Sequence, residues 1–155
     1  MSKRKNITWT VIGLFLAIQF IRPRRNNDGK VPGAAFVQLY TVPDSLNRIL
    51  RTACYDCHSN HTSYPWYTNI QPVGWIMAGH VRKGKAKLNF SEFDTYPIRR
   101  QISKLKAIAN QVNDNEMPLS SYKWLHRNAR LSTKEKNWII SWMKHKADSI
   151  SNNER

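Results

Sequence analysis

The chain has 155 residues, enough for one compact domain with a short extension and too few for a large two-domain enzyme. Its composition is 41% hydrophobic and 11% aromatic, which excludes wholesale disorder and low-complexity architectures, and two cysteines exclude a disulfide scaffold. Lys and Arg number 25 against 10 Asp and Glu, a formal charge of +15 that calls for an acidic partner without choosing its class.

Lys3, Arg4 and Lys5 precede an apolar run from Ile7 to Ile21, and Arg22, Arg24 and Arg25 follow it. This pattern predicts a signal peptide or uncleaved membrane anchor over residues 1–25. Fifteen helical residues reach only about 22 Å against a hydrocarbon core of ~30 Å, but flanking Lys and Arg can snorkel. Because no small-residue cleavage site follows directly, a single-pass anchor is favoured, with the domain facing the periplasm. Three of the positive charges lie in residues 1–21, so the remainder keeps +12. Residues 26–40 open with a turn-rich stretch, Asn26 to Gly33, and read as a linker.

From residue 41 to 148 the pattern is helical. Leu46, Ile49, Leu50 and Ala53 share one face of a helix that runs into Cys54. Ser59 to Pro72 is a loop, and Val73 to Arg82 a short helix. Ile98, Ile102, Leu105, Ile108, Ala109 and Val112 trace a second apolar face, preceded by the capping pattern Ser91–Asp94. Asn113 to Ser121 carries no helical period. Ser132-Thr-Lys-Glu135 is a capping box ahead of Trp138, Ile139, Trp142 and Met143. With no alternating strand pattern, the fold class is all-α.

The chemistry is concentrated in Cys54-Tyr-Asp-Cys57-His58. C-x-x-C-H is the attachment sequence for c-type haem: two thiols three positions apart reach the two vinyl groups of one porphyrin, and the adjacent imidazole reaches the iron. Both cysteines and a following His would fall into this spacing by accident on the order of once in a few thousand chains. A structural zinc site using Cys54, Cys57 and His61 is the main alternative, and it lacks a second ligand pair at finger spacing. A thioredoxin-like pair lacks a βαβ setting.

Together with Tyr64-Pro-Trp-Tyr67, Ile70-Gln-Pro-Val73, His80-Val81, Gly84, Leu88-Asn-Phe-Ser91 and Glu116-Met-Pro118, the motif resembles the bacterial haem-binding domain family typical of Bacteroidetes, over roughly residues 40–145. The resemblance implies a small cytochrome-c-like helical domain carrying one covalent haem c at Cys54 and Cys57, with His58 as proximal ligand. It implies little about substrate.

The sixth iron position separates an electron carrier from a haem enzyme or sensor. Met117, ahead of Pro118 on a loop, is the first candidate; His80 is the runner-up and His126 a third, while an open site is the remaining option. His61 follows His58 too closely to leave the proximal side. Tyr64, Trp66, Tyr67 and Trp75 are expected to pack on the porphyrin, and the Pro72 carbonyl to hold the His58 ring N–H. His80 with Arg82 is the one acid–base pair in sight for peroxidase-like chemistry. Arg99, Arg100, Lys104, Lys106 and the run Arg82 to Lys87 would steer an acidic redox protein or respiratory complex, pair with haem propionates, or rest on anionic lipid. Nucleic-acid binding has no supporting motif. A membrane-tethered monohaem electron carrier is the leading expectation, non-catalytic rather than an enzyme.

Overall fold

The structure, a computed structural model, describes residues 2–153. Its eight α-helices are α1 (Ser2–Ile18), α2 (Ala34–Tyr40), α3 (Asp44–Ala53), α4 (Tyr55–His58), α5 (Val73–Lys87), α6 (Ile98–Asn113), α7 (Ser120–Leu125) and α8 (Thr133–Asn153). Three 3-10 turns join them at Trp66–Asn69, Phe90–Thr95 and Arg127–Ala129. No strand occurs among the described residues. A lone antiparallel bridge links Asn27 to His61.

The core follows from helical spacing. Leu105, Ile108, Ala109 and Val112 recur at i, i+3, i+4 and i+7 on α6 and meet Ile139, Met143 and Ala147, which recur at i, i+4 and i+8 on α8. Leu46 and Leu50 of α3 and Phe36 of α2 are each 0% exposed against this pair. The box predicted before α8 forms: Ser132 N–H donates to Glu135 Oε2 at 2.8 Å, and Glu135 N–H donates to Ser132 Oγ at 3.3 Å. The Ser91–Asp94 pattern instead lies inside the Phe90–Thr95 turn, which Asn89 caps by accepting from Ser91 N–H at 3.1 Å.

Within residues 26–40, α2 contributes Phe36 and Tyr40 to the core. Phe36 packs edge-on against Phe90 and Phe93 at 4.9 Å each and against Trp142 at 5.9 Å. Tyr40 donates its buried hydroxyl to Gln101 Oε1, and burial pushes that phenol up to about 12. Gly33 opens α2 with φ 69°, a left-handed conformation natural to glycine, and its missing side chain makes room for the Tyr55 ring. Ahead of it, Asn26 acts as a clasp. Its amide donates to Ser59 O and Thr62 Oγ1 at 2.9 Å, and its carbonyl oxygen accepts from Lys85 Nζ at 2.7 Å.

The expected single-pass anchor is not supported. Among the described residues no helix is long and apolar enough to cross a membrane. α1 has 17 residues, about 26 Å of rise. Beyond Ile18, Gln19 accepts from Gln71 N–H at 2.8 Å, and Ile21 presents its carbonyl to Trp75 Nε1–H at 2.8 Å. Met1 lies outside the described residues. The apolar side chains of α1, among them Ile7, Trp9 and Leu14, are exposed.

Candidate functional site

Helix α3 ends at Cys54, and the chain turns directly into the single helical turn α4. The two residues between the cysteines anchor that turn from opposite sides. Tyr55 is 2% exposed, packs against Phe90 at 5.1 Å and donates its hydroxyl to Asn47 Oδ1 at 3.1 Å. Asp56 accepts from Ser63 N–H at 3.0 Å and from the Tyr122 hydroxyl at 2.7 Å. The motif is therefore tied to the core, to the following loop and to α7.

His58 is fixed by the C-terminal end of α5. Its Nδ1 lies 3.0 Å from Gly84 O and 3.2 Å from Leu88 O. Both partners are carbonyls, so Nδ1 carries the proton and Nε2 keeps its lone pair free for a ligand. Gly84 O also accepts from Leu88 N–H at 2.9 Å, so the imidazole shares that carbonyl with the helix end and takes Leu88 O just beyond it. The Pro72 carbonyl does not take this part. Pro72 caps the opposite end of α5 and accepts from Ile76 N–H at 3.1 Å. The approach of α5 to the motif needs Gly84, since a Cβ there would lie 2.5 Å from Cys57 O.

Two adjoining cavities flank His58. One, of about 290 Å³, is lined by Cys54, Leu88, Phe90, Ile108 and Val112. The other, of about 200 Å³, is lined by Cys57, His80, Pro118, Leu119 and Tyr122. His58, Met117, Ala53 and Lys87 border both, so each cavity takes one thiol while the imidazole and the thioether are common to the two. Burial pushes the Cys54 thiol up to about 12 and the Cys57 thiol up to about 11. The same burial holds the His58 imidazole below its ordinary value, favouring the neutral form that can ligate iron.

The other predicted residues are dispersed. His80 borders the second cavity only. His126 lines neither: its Nε2 lies 2.9 Å from the Tyr67 hydroxyl and its ring stacks on Tyr122 at 4.0 Å. His61 pairs with Asn27 Oδ1 at 2.9 Å. Tyr64, Trp66, Tyr67 and Trp75 line neither cavity. Trp66 is 74% exposed, Trp75 holds Ile21, and the Tyr64 hydroxyl accepts from Asn26 N–H at 2.7 Å. The apolar walls come instead from Leu88, Phe90, Ile108, Val112, Leu119 and Tyr122. Of these, Leu88 and Phe90 were legible as part of the Leu88–Ser91 motif, whereas Tyr122 gave no periodic signal.

His80 and Arg82 do not form an acid–base pair. Two residues apart on a helix they point to different sides, and Arg82 borders a separate cavity across α5. No cluster of three His, Cys, Asp or Glu side chains suited to a metal ion occurs among the described residues, so the zinc reading has no ligand set.

The cleft fits a flat apolar macrocycle with a metal at its centre. It supplies an imidazole nitrogen with a fixed tautomer, two thiols, a thioether sulfur, and apolar walls with Lys83, Lys87 and Lys104 among the lining residues. A family model described as a haem-binding domain matches residues 13–145. No curated protein and no solved structure matches the chain.

Proposed function

Since the chain belongs to the haem-binding domain family, we propose that it is a monohaem c-type cytochrome that carries single electrons, with its haem joined to Cys54 and Cys57. Haem binding follows from the family; covalent attachment and electron transfer are our reading of the cleft. The observation that carries it is the shared border: His58, with Nε2 free, and Met117 each line both cavities, while Cys54 and Cys57 each line one. The bound iron would supply one-electron redox chemistry.

The protein's part is positional and electrostatic. The Gly84 and Leu88 carbonyls hold the imidazole and raise its basicity through the shared proton. Met117 is the sixth-position candidate common to both cavities, with His80 as the alternative from the second. The apolar walls would shield a bound haem from water, which would disfavour the extra charge of the ferric form and raise the potential. Lys83, Lys87 and Lys104 at the cleft offer partners for propionates and a positive rim for an acidic redox protein.

The test is expression with a c-type maturation system, followed by denaturing acid extraction and optical spectroscopy. Haem should stay with the denatured chain, and the ferric protein should be low-spin with a weak far-red methionine–iron band. Haem extracted completely from correctly matured protein would overturn covalent attachment. A high-spin spectrum altered by peroxide or carbon monoxide would replace the electron carrier with a catalytic or sensory protein.

A further inference from the structure

Helix α5 has two working faces. His80, Lys83, Gly84 and Lys87, at i, i+3, i+4 and i+7, face the haem cleft. Ala78, Val81, Arg82 and Lys85 repeat the same spacing and border a different, open cavity, of about 470 Å³, lined on its other side by the chain from Arg24 to Asp28. A smaller cavity of about 100 Å³ adjoins it through Arg24, Arg25, Tyr64 and Ala78 and adds Arg22. The N-terminal basic cluster, which follows the apolar run in sequence, is thus folded back against the basic run of α5.

Two of these cations are held in place. Arg25 lies over the Tyr64 ring at 5.3 Å and donates Nη2–H to Asn69 Oδ1 at 2.9 Å. Lys85 donates to Asn26 Oδ1 at 2.7 Å. Two carboxylates also border the larger cavity, and both accept from neutral groups: Asp28 from Lys30 N–H at 3.1 Å, Glu92 from Asn60 Nδ2 at 2.9 Å. Neither pairs with a lining cation, since the one ion pair within 4.0 Å among the described residues is Lys106–Asp148. The groove therefore gathers Arg22, Arg24, Arg25, Arg82 and Lys85 with no acidic neutraliser in contact. Five cations against the two carboxylates Asp28 and Glu92 leave the groove with an excess of positive charge, which attracts an anion. Guanidinium forks match the oxygens of phosphate in bidentate geometry, and the fixed ammonium of Lys85 adds a point charge.

We propose that this groove binds a phosphate-bearing anion, in a site separated from the haem cleft by α5. The proposal does not rest on the haem reading, because its residues and its readout lie outside that cleft.

Pyrophosphate titrated into the full-length matured protein at constant ionic strength, followed by calorimetry, tests it directly. Saturable 1:1 binding is expected, weakened at least tenfold in R24Q/R82Q, while R24K/R82K loses less. These two arginines are exposed, so the haem spectrum and melting temperature of the free variants should match the parent. A parallel arm adds phosphatidylglycerol or phosphatidylcholine vesicles. Binding only to the anionic vesicles, lost in R24Q/R82Q, would retain the site and assign its phosphate to a lipid headgroup. Unchanged affinity in R24Q/R82Q, equal binding of citrate, or no binding of pyrophosphate or anionic vesicles would overturn it.

Discussion

At the scale of single residues, two side chains and one missing side chain govern the cleft. His58 is the best-determined group, because two carbonyls from the end of α5 dictate which nitrogen is free. Met117 borders both cavities from the loop between α6 and α7, and α7 is tied to the motif by the hydrogen bond from the Tyr122 hydroxyl to Asp56. Met117→Ala is expected to convert a six-coordinate low-spin haem to a high-spin one, read by optical and paramagnetic resonance spectra. A low-spin spectrum unchanged in this variant would move the assignment to His80. Gly84→Ala should destabilise the domain by about 1–3 kcal/mol, because the new Cβ would overlap Cys57 O and push α5 off the motif. Denaturant unfolding measures this, and a loss within error of zero would show that α5 can shift freely. In G84A the spectrum should also change, since Gly84 O is one of the two His58 partners.

At the scale of elements, local and long-range determinants separate cleanly. The α8 box depends only on residues three apart. Ser132→Ala should cost about 1 kcal/mol, seen as a lower denaturant midpoint at constant slope. Glu135 carries a pH signature. Hydrogen bonds from Ser132 hold its carboxyl below the ordinary value of 4.5. A depressed folded-state value means its contribution is present above the unfolded value and fades as pH falls through the lowered one. The stability difference between the parent and Glu135→Gln should therefore be largest above about pH 5 and shrink on acidification. A difference constant across that range would exclude the carboxylate as the source. The side chain lies at the surface, half-buried, and solvent screening keeps the effect small.

For the whole molecule, charge sets the behaviour. For the proposed electron carrier, a net charge of +15 with cations at the cleft makes the expected association with an acidic redox partner slow steeply as ionic strength rises. Replacing Lys83, Lys87 and Lys104 with Gln should lower the association rate constant, measured by stopped-flow electron transfer, and flatten its salt dependence. An unaltered salt slope would place the partner's landing site elsewhere. The apolar residues of α1 are exposed, no helix among the described residues is long and apolar enough to span a bilayer, and beyond α1 the chain is tied by Gln19 and Ile21 to the 71–75 segment.

What sequence alone determined was whatever lies within a few residues along the chain. The apolar faces of α3, α6 and α8, the Ser132–Glu135 box and the Cys54–His58 motif are all readable at spacings of three and four, since a helix brings those positions together by its own geometry. Helix α2 escaped this reading because its seven residues are too few to show a period. Its Phe36 is buried by Phe90, Phe93 and Trp142, which are remote in sequence, as well as by Tyr40 one turn on. Tertiary structure alone decided the surroundings of His58. Aromatic residues near the motif in sequence were expected to cover the porphyrin, but their polar atoms fasten the N-terminal strap and His126: Trp75 N–H meets Ile21 O, Tyr64 OH takes Asn26 N–H, and Tyr67 OH meets His126. The cleft walls come from Leu88, Phe90, Ile108, Val112 and Tyr122, and the imidazole's partners from the far end of α5. Buried polar groups must be satisfied and apolar surfaces covered by whichever groups the fold brings near, and sequence distance does not encode that neighbourhood.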